Sequence, residues 1–258
     1  VALLAWALST DFFKYYYPML NSIERWTLGI TASLMLFVSV LLHELSHSII
    51  ARRGKIKVEK ITLFFFGGVA QIRGEATSPK KEFLMAIAGP IASFILAGIF
   101  YISFIYCSYI YVQAISFYLY RLNFILALFN LAPGYPLDGG RILRALLWYH
   151  YDDIKKATRI ASLGGKAIAV ILILGGIVGI FFGFGTLWFV ILGFFLYFIA
   201  GLSYEQAIIK EILEKAEAKQ VMLNEFKTVD INKSISELFE NYFLKYKQDG
   251  FIVSRRKI

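Results

Sequence analysis

Long apolar runs alternate with short polar connectors along this chain, and the runs exceed what the core helices of a water-soluble domain need. Trp26 to Ala51 covers about 26 residues, roughly 39 Å of helix, which spans a bilayer with some tilt. It stops on Arg52-Arg53-Gly54, a charged helix end. Glu82 to Tyr106, Tyr111 to Leu131, Ala161 to Phe182 and Thr186 to Leu202 read as further spans. The first apolar stretch, Val1 to Leu8, is too short to cross alone and reads as the end of a truncated first helix, not a signal peptide. Asp11 to Arg25, aromatic and punctuated by Pro18 and Asn21, reads as an interfacial loop. The pattern predicts an α-helical polytopic membrane protein with about six transmembrane helices, the first of them truncated.

Between the first complete span and the next, the period changes. Val58, Ile61, Leu63, Phe64 to Phe66, Val69 and Ile72 are β-prone, and Gly67-Gly68 looks like a hairpin break. A small membrane-associated β-hairpin or sheet is expected there. Gly89, Ser93 and Ala97 recur every four residues, a stripe that lets another helix come close, and Pro90 is a candidate bend. Gly175, Gly179 and Gly183 repeat that spacing, ahead of a tight turn at Gly183-Phe184-Gly185. From about Ser203 the apolar character falls. Glu205 to Lys219 reads as an amphipathic helix with Ile208, Ile209, Ile212 and Leu213 on one side. Thr228 to Asp230 reads as extended, Ser234 to Phe243 as helix and Gly250 to Val253 as strand. The expected division is a transmembrane core over 1–203, a linker helix over 204–220, and a partial cytoplasmic α/β tail over 221–258, too short to bury a core of its own.

Composition supports the membrane reading: 58% of the 258 residues are hydrophobic and 17% aromatic. The formal charge of +9 invites a nucleic-acid partner, but the basic residues sit in connectors between apolar runs, so the expectation is no nucleic acid. Connectors after residue 51 and after residue 140 are rich in Lys and Arg, whereas those around 107–120 and 183–186 have none. The positive-inside rule then puts the tail and the ends of the chemically interesting runs at the cytoplasmic face of a cell membrane. Cys107 is the only cysteine, which excludes an intrachain disulfide and a zinc ribbon; a small apolar filler is its ordinary role.

The chemistry centres on His43-Glu44-Leu45-Ser46-His47, inside an apolar run. On a helix His43 and His47 lie one turn apart on one face and can grip one metal ion, with Glu44 beside it as a base toward water. At ~1.5 Å per residue, His43 lies roughly 13 Å below the basic end at Arg52, hence within the membrane. The bland alternative is a buried, ion-paired His–Glu cluster. Ionisable groups in hydrocarbon default to a functional reading, which favours a site. Phe129 to Arg141 is the second informative stretch. Pro133, Pro136 and three glycines preclude a continuous helix, and irregular backbone at membrane depth survives only inside protein or along a wet cavity. Asp138 there could be a helix cap or turn carboxylate. It is also the natural third donor to His43 and His47, since His150 lies in a polar connector and reads as solvated. Two imidazoles, one carboxylate and water make an open site for a single zinc ion, Zn2+, with Glu44 moving the proton from water to the leaving amine.

On these residues the chain resembles the site-2 proteases, intramembrane zinc metalloproteases. The likeness rests on HELSH at 43–47, Phe66-Gly67-Gly68-Val69, Ala88-Gly89-Pro90, and Asn130…Pro133…Pro136-Leu137-Asp138-Gly139-Gly140-Arg141. It covers roughly residues 27–202. The tail resembles the start of a CBS domain, as found on one branch of that family. The resemblance implies zinc on His43, His47 and Asp138, Glu44 as base, and Asn130 holding substrate backbone or oxyanion. It also gives Gly67, Gly68 and Val69 a role in holding an extended substrate segment by strand addition. The implied partners are a transmembrane protein substrate and the lipid bilayer, with nucleotide or dimer contacts through a complete CBS region. Ser46 stands where relatives often have glycine. A metal-ion transporter, or a CBS-gated membrane protein using the same His/Glu/Asp cluster, is the rival reading. Neither needs a base at position 44.

Overall fold

A computed structural model describes residues 1–64, 67–73, 76–183, 187–215, 228–243 and 252–254. The chain forms two compact units, Val1–Ile209 and Lys210–Ile258. The first opens with helix α1 (Ala2–Ala7), which passes through a π-helical turn (Leu8–Phe12) into α2 (Phe13–Tyr16). Asp11 to Tyr16, expected as loop, is therefore helical. Burial explains the difference: Leu8 and Phe13 enter a core with Leu20, Leu28, Ala32, Ala114, Tyr118 and Leu119, and that packing overrides the weak helix preference of the aromatic run.

Helix α3 (Ser22–Arg53) starts at a capping box. Asn21 Oδ1 accepts from the Glu24 backbone N–H at 3.0 Å, and Glu24 Oε2 accepts from the Asn21 N–H at 2.7 Å. Two antiparallel strands follow, β1 (Lys57–Phe64) and β2 (Gly67–Arg73), packed against α3. Gly67 and Gly68 do not form the break between them. They open β2, paired with Phe64 and Leu63. Helix α4 (Pro79–Tyr106) is capped by Ser78 and carries Pro at its first position. The short Cys107–Tyr109 connection returns the chain as α5 (Ile110–Asn130), and α4 packs on α3, α5 and a later helix, α6 (Asp138–Tyr151).

Helix α6 was not expected from the polar run Trp148 to Asp153. Asp152 ends it in the left-handed conformation (φ 50°), and the Asp153 side chain caps the next helix, α7 (Ile154–Phe181), by accepting from Lys155 and Lys156 N–H. The two aspartates are thus a stop and a start. Helix α8 (Leu187–Lys215) runs through the stretch from 205 that reads as a separate linker. Residues 184–186 of the proposed Gly-Phe-Gly turn lie outside the described residues, as do 216–227.

Among the described residues, α3, α4, α5 and α7 are long and apolar enough to cross a membrane, and Leu187–Leu202 of α8 is a shorter apolar segment. Polarity is distributed as lipid solvent demands. Ile95, Ile99 and Ile102 of α4 and Leu174 and Phe181 of α7 are exposed, while Ser33, Ser93, Ser116, Asn123, Thr158 and Ser162 are buried. Small polar residues fill helix contacts because apolar side chains gain nothing by leaving lipid. On α7 the stripe Gly175, Gly179 and Gly183 is buried only at Gly179, which shares its buried face with Gly176. Gly175 is open, whereas Gly176 is buried against Phe189 and Val190 of α8.

In the second unit β3 (Thr228–Asp230) and β4 (Ile252–Ser254) pair in parallel. Between them lies a short helix, Ile235–Leu238, capped by Ser234, with a π-helical turn Phe239–Phe243. Residues 244–251 lie outside the described residues.

Candidate metal centre

Helical spacing puts His43 and His47 on the buried face of α3, 3% and 4% exposed. Asp138 reaches them from the first position of α6. Its Oδ2 is 3.1 Å from His43 Nε2 and 3.1 Å from His47 Nε2, and the two nitrogens are 3.3 Å apart. Three donors about 2.0–2.1 Å from one tetrahedral ion would be separated by roughly 3.3–3.4 Å. The triangle is close to that size.

The far side of each ring decides what the near side offers. His47 Nδ1 lies 2.7 Å from the carbonyl oxygen of Met85, which can only accept, so Nδ1 carries the proton and Nε2 keeps its lone pair. His43 Nδ1 lies 2.8 Å from Ser93 Oγ, a hydroxyl that orients the second ring and can accept its proton in the same way. Both partners belong to α4. Space for the rings comes from Gly89 on the same helix, where a Cβ would fall within 2.6 Å of His43 Nε2 and His47 Cε1, and nearer still to His47 Nε2. The stripe Gly89–Ser93–Ala97 does serve close approach, but what Gly89 and Ser93 admit are the rings of His43 and His47. That role was missed because small residues every fourth position read as helix packing; the serine within the stripe, placed to meet a histidine, was the available signal.

Asp138 is positioned by the loop before it. Tyr135 N–H donates to Ala161 O at 3.1 Å and Leu137 N–H to Gly134 O at 3.0 Å, and the Tyr135–Pro136 peptide is cis. Gly139 and Gly140 lie against the backbone of Leu131-Ala132 and Gly134-Tyr135, where any Cβ would collide. Asp-Gly-Gly thus folds the start of α6 back on its own loop. Leu137 is the N-cap of α6 and no side chain caps the helix, so Asp138 is not a cap: its Oδ2 is turned to the two histidines instead.

Glu44 is half-buried and interacts electrostatically with both histidines, Asp138 and Arg141. Asn130 closes α5, half-buried, at the opposite end of the loop from Asp138. Backbone pairing alone describes Gly67, Gly68 and Val69 on β2. His150 is exposed near the end of α6, away from the only His/Asp cluster found among the described residues.

Two imidazoles and one carboxylate that could hold a metal ion, with a second carboxylate in the same helical turn, have the composition of a zinc-peptidase site, here set among helices apolar enough to cross a membrane. Known proteins agree with that class. Residues 31–109 and 108–175 match Peptidase family M50, and the chain belongs to this family. It is 36% identical over 231 residues to sll0528 of Synechocystis sp., named as a candidate zinc metalloprotease, covering 88% of this chain and 61% of that protein. It is also 36% identical over 221 residues to the zinc metalloprotease MJ0392 of Methanocaldococcus jannaschii, covering 85% of this chain and 62% of the relative. The chain thus spans about three fifths of these relatives' length. Among solved structures, a site-2 protease from Methanocaldococcus jannaschii matches 78% of this chain and 88% of its own, with a TM-score of 0.54 and 34% identity.

Proposed function

We propose that this chain is the catalytic core of an intramembrane zinc endopeptidase, hydrolysing peptide bonds within or next to transmembrane segments of membrane-anchored proteins. The observation that carries this reading is the meeting of Asp138 with His43 and His47 from separate helices, with Glu44 in the same turn. His43, His47 and Asp138 would hold the zinc ion, which when bound would supply Lewis acidity toward water and a carbonyl oxygen. Glu44 accepts the proton as the nucleophile forms and returns it to the departing amine nitrogen. Asn130 donates from its side-chain amide to the oxyanion or to substrate backbone.

A transmembrane substrate hides its peptide bonds in helix, so it must unwind before attack. β2, starting at Gly67-Gly68-Val69, offers strand addition to the extended segment. The Lys- and Arg-rich connectors favour a multi-pass arrangement of about six spans, with the site toward the cytoplasmic face. The parallel β–helix–β of the tail fits the opening of a CBS domain, through which a complete region would contact nucleotide or a second copy.

The test is cleavage of a single-span model substrate by the purified protein in detergent. Wild type should cleave and carry one zinc, and Glu44→Gln should keep the zinc and lose cleavage. Undiminished metal uptake into vesicles by Glu44→Gln, with no cleavage by either form, would instead favour the transporter.

A further inference from the structure

The two ligand-bearing helices are both packed on α4, and one turn of α4 touches the support of each. Met85 holds His47 through its carbonyl. One turn earlier, Glu82 is wholly buried and paired with Arg144 of α6, whose Nε donates to Glu82 Oε1 at 2.6 Å and whose Nη2 meets the same oxygen. Arg144 stands on the helix that Asp138 begins, and its guanidinium lies 5.2 Å from the centre of the Tyr135 ring, in the loop that folds against Gly139 and Gly140. Arg141 of α6 adds a contact to Met85 Sδ. Ser93 and Gly89, further along α4, complete the seating of the rings.

A buried ion pair is a weak source of stability, because stripping water from both charges offsets most of their attraction. Glu82 Oε2 is also buried without a hydrogen-bond partner among the described residues. What such a pair does well is fix register between two elements. We infer that Glu82 and Arg144 are positioning residues of the metal centre, locking α6 to the turn of α4 that orients His47 and so setting the distance between Asp138 and the two histidines. This rests on the zinc-site reading above.

The experiment uses the full chain in detergent and compares wild type with Glu82→Gln and Arg144→Lys. The readouts are zinc affinity by chelator competition, the visible absorption of the cobalt-substituted protein, and the melting temperature of the metal-free form. Both variants should bind zinc about 10–100-fold more weakly, the usual scale for losing an outer support of a metal ligand. Their cobalt bands should shift or weaken, and metal-free melting should stay near wild type in Arg144→Lys, which keeps both charges; Glu82→Gln leaves Arg144 unpaired and should melt lower. Affinity within about two-fold of wild type, with an unaltered cobalt spectrum, would overturn the inference and leave the zinc site standing. So would an affinity loss that merely tracks lost folding in both variants. A wild type that binds no zinc would sink the metal-centre reading, and this inference with it.

Discussion

Gly89→Ala is the sharpest single perturbation of the centre. In most helices, Gly to Ala stabilises by roughly 1 kcal/mol, because Gly surrenders more backbone freedom on folding. Here the added Cβ would sit within 2.6 Å of His43 Nε2 and His47 Cε1, and nearer to His47 Nε2. Ordinary contact needs about 3.5 Å, so the rings must retreat by roughly 1 Å. A metal site tolerates about 0.2 Å in its ligand distances, and the donor triangle cannot survive that retreat intact. Zinc affinity should fall by at least the 10–100-fold seen when a ligand loses its outer support, equivalent to about 1.4–2.8 kcal/mol. Displacing two buried, hydrogen-bonded rings costs about 1–3 kcal/mol as overpacking, which offsets the Gly-to-Ala gain, so the metal-free protein should melt at or somewhat below wild type. Chelator competition for affinity, alongside a thermal melt of the metal-free form, separates the two effects. Wild-type zinc affinity in Gly89→Ala would refute the placement of α4 against the rings.

Other outcomes follow from the same geometry. Glu44→Gln should retain one zinc while cleavage drops by roughly 10²–10⁴-fold; retained cleavage would remove Glu44 as the base. Ser93→Ala should weaken zinc by about tenfold or more through loss of the His43 Nδ1 support, measured by the same competition, and an unchanged affinity would count against that hydrogen bond. Gly68→Pro removes a backbone N–H from β2 and should impair substrate cleavage with zinc content intact; unchanged cleavage argues against strand addition.

Residues with chemistry of their own were legible in the sequence. The helical spacing of His43 and His47 places both on one face, and Asp138, which meets them, stands out in a Pro/Gly stretch that cannot be an uninterrupted span. The long apolar helices follow from length and composition. What stayed hidden was chosen by tertiary contact. Met85 contributes a backbone carbonyl, which no side-chain pattern reveals. Ser93 and Gly89 look like any small-residue stripe until a histidine is known to face them. Glu82 and Arg144 are 62 positions apart, and each resembles the connector charges that set topology. Asp152 and Asp153 read as a polar connector, because adjacent stop and start caps leave the same composition as a loop. Gly175 and Gly176 differ by one residue, and only the approach of α8 decides which is buried.

X-ray absorption at the zinc edge of the metal-loaded protein addresses the centre most directly. Two imidazoles and one carboxylate oxygen should appear at about 2.0–2.2 Å, with light atoms only in the shell. A sulfur neighbour, or fewer than two imidazoles, would mean that the ion is not held by His43, His47 and Asp138.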